Sequence, residues 1–360
     1  MLKLRRGIVV GTDPLTVQVG DERRPAWADT GLVGEMAEGD EVIVNTEAAD
    51  LGLGSGGFDV VHVNLTRGLE GSGPASAEHV MKLNYTSLQH SIDPVESPES
   101  GDPSASADAA STPAPPVLVL PLHGHLAPSA WAATQARPGL RIGYVQTTGG
   151  ALPGGMSRDV VELRDRGLLV GHVTAGAAYG GDHEAVTTLG ALDAAARRLG
   201  CDAILCGPGP GILGSATLYG HGGVAALESA HAALALGLPT LVSPRLSASD
   251  PRQRHRGLSH HTEGVLRLVL GSVRVPVPEI DLAGWPTGEE AGTVDMPSVL
   301  DALHRACDDR HDVEVEPVDL DGYGNSGLPT RTMGRTLEQD PLFFAAPLAA
   351  GRALADGVRL

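Results

Sequence analysis

The sequence predicts an α/β protein: a small β-rich, barrel-like N-terminal domain over residues 1–90, then a mostly parallel, Rossmann-like α/β domain over residues 117–360. Three observations carry this. Short β-type runs separated by Gly and Asp crowd the N-terminal part; from residue 117 apolar runs alternate with longer helix-like stretches; and residues 91–116 between them are acidic and rich in Pro, Ala and Ser.

The N-terminal runs are "RGIVVG", "LTVQVG", "EVIVNTEA" and "FDVVHVNL", each short and bounded by turn residues, as strands of a small barrel are. The stretch "IDPVESPESGDPSASADAASTPAPP" holds five acids and no base. Such a composition buries too little apolar surface to offset its chain entropy, so a disordered linker or insertion is expected. Beyond it, "VLVLPL", "RIGYVQ", "LLVGHVTA", "AILCG", "PTLVSP" and "VRVPVP" read as strands. Gly167, Gly200 and the "GLP" at 237–239 follow periodic segments as helix ends. After Asp182, the residues Val186, Leu189, Leu192, Ala196 and Leu199 recur at helical spacing, which predicts a helix with Asp182 and Glu184 at its start. Ser259 reads as the N-cap of a further helix that carries His260 and His261 in its first turn and stops at Gly271. Strand and helix in alternation imply a parallel sheet with helices on both faces.

Charge narrows the function. Asp and Glu number 44 against 26 Lys and Arg, a formal charge of −18, and this excludes nucleic acid or an anionic membrane as a general partner. With 3% aromatic residues, no stacking platform for single strands exists either. No apolar run reaches the roughly 18 residues of a membrane span, and the first residues are too short for a secretory h-region, so a cytoplasmic protein is expected. Cys201, Cys206 and Cys307 form no CxxC pair, which argues against a disulfide framework or a cysteine zinc site.

In parallel sheets ligands gather beyond the carboxyl ends of the strands. Four loops expected there are rich in Gly and polar groups: "LHGHLAP", "QTTGGALP", "AYGGDHEA" and "GPGPGILGSATLYGHGG". Gly149 and Gly150 in the second, and Gly209, Gly211 and Gly214 in the last, permit close backbone approach and are candidate ligand-binding positions. The last three satisfy GxGxxG, but Pro208 and Pro210 interrupt the loop and helical patterning resumes only near Gly222. That is a weak dinucleotide fingerprint. His123 and His125 form an HxH pair that can aim two imidazoles at one metal, with Asp182, His183 and His221 available to complete a shell; the alternative is that these histidines are satisfied core or surface groups.

The densest feature is "DPRQRHRGLSHHTEG", residues 250–264, with three Arg and three His in an acidic chain. Arg252 and Arg254 can present forks to phosphate or carboxylate, with His255 and Ser259 on the same loop. His260 and His261, beside a helix N-terminus that favours neutral imidazole, are candidate acid–base residues together with Asp182 and His221. Adjacent helical residues diverge by about 100°, so only one of the two is expected at a given centre. The bland reading is a solvated basic loop.

The ordered motifs "LGLGSGG", "KLNYTSLQ", "TTGGALP", "GGDHEAV", "GPGPGILGSATLYGHGG", "RQRHRGLSHHT" and "TMGRTLEQDPLFF", spread over residues 5 to 352, together resemble the bacterial domain of unknown function 3866 family. The resemblance implies coverage of nearly the whole chain and supplies no reaction. The expected function is therefore a pocket at the strand ends for a small anionic metabolite, phosphate or carboxylate, in a hydrolase or transferase. Alternatives are a non-catalytic ligand sensor and a nucleotide-binding protein using the Gly-rich loop. A cofactor is not indicated, and a homodimer stays open.

Overall fold

The computed structural model describes residues 1–52, 57–69, 79–97, 114–215, 217–282 and 294–358. The chain divides into two compact units, Met1–Ile92 and Asp93–Leu360.

The first unit is a closed five-stranded barrel: β1 (Leu4–Thr12), β2 (Leu15–Val19), β3 (Glu22–Trp27), β4 (Glu41–Asn45) and β5 (Asp59–Asn64), in the order β1-β2-β3-β5-β4. β1 pairs antiparallel with both β2 and β4, and β3 meets β5 in parallel to close it. Alternation turns Val9, Val17, Val42, Val44 and Val61 inward, and with Val33 they form its core. β3, with sequence "ERRPAW", lacks the apolar alternation that betrays the others. Its Arg24 instead binds Asp59 at 2.6 Å. A hairpin of β6 (Val80–Lys82) and β7 (His90–Ile92) follows.

The second unit holds β8 (Val117–Val119), β9 (Ile142–Thr147), β10 (Gly171–Ala175), β11 (His183–Ala185), β12 (Ala203–Pro208), β13 (Thr240–Val242), then a two-stranded pair of β14 (Leu246–Ser247) with β15 (Gly257–Leu258), and finally β16 (Arg274–Glu279) and β17 (Asp312–Pro317). Eight of these form one all-parallel sheet in the order β11-β10-β9-β12-β8-β13-β16-β17. The central strands are buried on both sides, so they are continuous apolar runs. Val117 and Val119 point into one core, with the helices Thr188–Arg197, Ala225–Ala235, His260–Leu268 and Met296–Cys307. Leu118 and Leu120 point into the other, with the helices Leu126–Ala136, Arg158–Asp165 and Pro341–Asp356. Gly167, Gly200 and Gly237 end their helices with positive φ, where a Cβ would be strained.

Three local expectations are corrected. Residues 183–185 are strand β11, so Asp182 starts a strand; Thr187 caps the helix, its side chain accepting from Gly190 N. The helix that begins at His260 ends at Leu268, before Gly271, with Val269 turning to extended backbone. The stretch 91–116 is built in at both ends. Val95 is buried in the core and its N–H donates to Glu184 O at 2.7 Å, while the Glu96 carboxylate accepts from Val186 N and Thr187 N. Pro115 and Pro116 are buried, and Pro116 O accepts from Ile204 N. The middle of that stretch, 98–113, lies outside the described residues.

Candidate functional site

β8 and β12 are neighbours, yet the helix that follows β8 lies on one face of the sheet and the helix that follows β12 on the other. Their carboxyl ends therefore diverge, and open parallel sheets bind ligands in the crevice such a divergence leaves. Four adjacent strands deliver loops here: β9 leads to Gly149, β12 to the 209–222 loop, β8 to His123 and His125, and β13 to Ser243 and Arg245.

The glycines draw these loops together. A Cβ on Gly150 would lie 2.1 Å from Gly209 O, one on Gly209 would lie 2.3 Å from Ala151 O, and one on Gly222 would lie 1.9 Å from Gly149 O. Gly149 has φ +107°. The close approach they permit is thus between the two loops' own backbones, sealed by Ala151 N donating to Pro210 O at 2.7 Å. Gly214 bridges to His221 in a short antiparallel turn that presents this histidine, and a Cβ there would press on His221 Cβ; Gly211, at φ +75°, has open space around it. Gly150→Ala is expected to lose about 1–3 kcal/mol, the usual cost of overpacking, as measured by chemical denaturation; a neutral result would mean that the loops are not held in this contact.

Four imidazoles converge. His221 stacks on His261 with ring centroids 3.6 Å apart and planes within 9°, and His260 lies 4.4 Å from His261. His255 sits 4.8 Å from each of His260 and His261. The Ser259 N-cap holds the group: its Oγ accepts from His261 N and shares a 2.7 Å hydrogen bond with His255 Nδ1. His260 and His261 do share one centre, contrary to the helical-wheel expectation. In the first turn the ring of His261 runs inward onto His221 while that of His260 folds back to Arg254 O at 3.2 Å, so both rings end at His221. Burial pushes all four toward the neutral form, His255 to about 3 and His261 to about 2, with Arg245 adding to the effect at each. A small recess opens on His221 and His261 between Leu218, Tyr219 and Val265.

Beside the imidazoles lies a charge cluster. Asp250 is fully buried and accepts from Arg252 Nε and Nη2 at 2.9 Å each. Arg335 reaches it at 3.3 Å and Arg245 at 3.4 Å, and Asp340 takes Arg335 Nε at 3.0 Å. Burial works to raise the Asp250 pKa, but the hydrogen bonds of Arg252 and the charges of Arg252 and Arg335 outweigh it and hold the carboxyl below its ordinary range. Arg245 is 5% exposed, its Nε has no partner among the described residues and its Nη1 lies 3.5 Å from His261 Nδ1. Burial lowers its pKa to about 10.

Other expected site residues are elsewhere or otherwise engaged. Asp182 accepts from His172 N at 2.8 Å and pairs with Arg164 at the amino end of β11, away from the histidines. His123 and His125 do not point at one centre: His123 bonds Ser157 Oγ at 2.7 Å and Pro208 O at 3.2 Å, whereas His125 bonds Ser243 Oγ at 2.8 Å and packs on Phe343. Ser157, His123 and Asp159 do not make a nucleophilic triad either, because Asp159 approaches the same Nε2 that faces Ser157 and Ser157 caps its helix. Arg252 is committed to Asp250, and Arg254 is exposed. Arg245, Asp250 and Arg335 are not singled out by the sequence; the signals present are that Asp250 opens the 250–264 stretch and Arg335 falls within "TMGRTLEQD".

No curated protein and no solved structure matches the chain. The model of one family, described as "Protein of unknown function (DUF3866)", matches residues 26–351. With nine-tenths of its length inside that match, the chain belongs to this family of proteins of unknown function.

Proposed function

We propose that the crevice at the ends of β8, β12 and β13 binds a small molecule bearing phosphate or carboxylate, and that the neutral imidazoles beside it serve hydrolysis or group transfer. One observation carries this reading: Arg245 is buried with an unsatisfied Nε and a long, shared contact to Asp250. A buried guanidinium donor without an acceptor is unfavourable, and an anion satisfies it. The three Arg and two Asp of the cluster leave one net positive charge in a chain of −18, the local field that an anion site in such a chain requires. His255 and His261, held neutral by burial, add no cation that would compete with Arg245 for the anion.

The dinucleotide alternative has little support. The glycines that would admit a pyrophosphate are filled by each other's backbone. Among the described residues no helix is long and apolar enough to cross a membrane, and the three cysteines are free and buried; a cytoplasmic setting fits this reading.

The grip belongs to Arg245, with Arg254 at the rim. Arg245→Ala is expected to weaken anion binding by about 1.5–3 kcal/mol, with Arg245→Lys recovering part of it because the planar fork is lost. Mass spectrometry of the anion retained through purification, followed by incubation with that anion, separates enzyme from sensor: turnover supports the first, unchanged ligand the second.

A further inference from the structure

The histidine cluster contains two buried lone pairs with nothing to accept. His221 Nε2 lies 3.0 Å from Leu218 O, and His260 Nδ1 lies 3.2 Å from Arg254 O. A carbonyl only accepts, so each contact fixes the ring proton on that nitrogen. The opposite atoms, His221 Nδ1 and His260 Nε2, are left bare, and both are buried without a hydrogen-bond partner among the described residues. Unpartnered polar atoms of this kind are rare inside proteins. An imidazole that donates one N–H to a backbone carbonyl and aims the other nitrogen into a shared centre is the arrangement that orients metal-binding histidines.

The third imidazole completes the set. The ligating nitrogens of His221, His260 and His261 lie within 4.8 Å of one another. A tetrahedral ion with bonds of about 2.1 Å needs edges near 3.4 Å, so the three rings draw inward around a bound ion. His221 Nδ1 and His261 Nδ1 lie on the same side of the cluster, 3.1 and 3.2 Å from where a Cβ on Gly223 would stand, and the stacked pair must turn out of parallel for both lone pairs to meet one ion. The 3.5 Å contact from Arg245 is too long to hold the His261 lone pair.

We propose that His221, His260 and His261 form a site for one divalent transition metal of the zinc class, three nitrogens from the protein and an open fourth position. Three imidazoles select zinc, cobalt, nickel or copper over magnesium or calcium, and three protein ligands with one open position mark metals that bind water or substrate. The guanidinium of Arg245 beside the ion makes a negatively charged fourth ligand, hydroxide or a bound anion, the favoured one. The site stands on the imidazole geometry and does not depend on the anion reading.

The test uses the full chain in a non-coordinating buffer with Zn²⁺ as the only added ligand. One equivalent of bound zinc is expected by elemental analysis after dialysis. His221→Ala and His260→Ala should each weaken it roughly 100-fold or more, beyond what loss of an outer-shell partner does, while the exposed His183→Ala leaves it unchanged. No zinc uptake by folded wild type, or uptake indifferent to both site substitutions, overturns the proposal. Should either variant fail to fold, Co²⁺-substituted wild type decides. The intense visible bands of a four-coordinate ion support the site, and the pale spectrum of a six-coordinate aqueous ion contradicts it. Because no anion is present, failure here leaves the anion reading standing, and failure of the anion reading leaves this one.

Discussion

Lowering the pH from 7 to 5 is expected to remove on the order of 5 kcal/mol of stability, enough to unfold an ordinary domain. His125, His255 and His261 are buried, and burial holds their folded pKa values at about 3, about 3 and about 2, against 6.5 for a free imidazole. Below pH 6.5 the unfolded chain binds protons that the folded chain refuses. The unfolded state then carries more protons, so stability falls as pH falls, through a window from about 6.5 down to about 3. At pH 5 each such imidazole accounts for about 2 kcal/mol. Chemical denaturation at pH 7, 6 and 5 measures this directly. A flat profile would mean that these rings are solvated or charged in the fold.

Asp250→Ala is expected to destabilise the chain by about 3–5 kcal/mol, the usual effect of breaking one side of a buried ion pair. Asp250 is the common partner of three guanidinium groups, but they do not lose equally. Arg252 has 43% of its side chain exposed and can turn to water, and Arg335 keeps Asp340. Arg245, with 6% of its side chain exposed, loses the one carboxylate it pairs with among the described residues. The loss should therefore be relieved in large part by adding Arg245→Met, which removes the stranded charge while keeping apolar volume. Urea denaturation of the single and double variants checks both. A single-variant loss below about 1 kcal/mol, or no relief in the double, would show that Arg245 is not held by this carboxylate.

The fold was legible where one physical signal dominated. β8, β9, β12, β13 and β16 are apolar runs because both their faces are covered, and positive-φ glycines mark three helix ends. β17, "DVEVEP", was missed because it lies at the sheet edge and alternates acids with valine; Glu314 there pairs with Arg274 at 2.8 Å across from β16. β11 was missed because three residues, "HEA", carry no period of their own. At the site, the histidines of the 250–264 stretch and His221 were legible as unusual residues. Their convergence was not, since it depends on the hairpin that carries His221 across to the His260 helix. Arg245 was invisible for a different reason. In "LVSPRLSASD" it is one arginine among aliphatic residues and serines, and the pairing of β14 with β15 folds the loop back so that Ser259 N donates to Arg245 O.

Legibility also failed by excess. Arg252 looked free because local sequence does not show that Asp250, two residues earlier, takes its Nε and Nη2. The HxH pair looked convergent because its spacing permits it, but the turn at His123–His125 sends one ring to Ser157 and the other to Ser243.

The most direct test of an anion site organised by Arg245 is calorimetric titration of the full chain with inorganic phosphate and with a small dicarboxylate, in wild type, Arg245→Gln and Arg254→Gln. Saturable binding of one equivalent of at least one of these anions is expected. It should weaken about 10-fold or more in Arg245→Gln, and much less in Arg254→Gln, whose fork is exposed. Equal affinity in wild type and Arg245→Gln, or no binding of either anion by folded wild type, would contradict it.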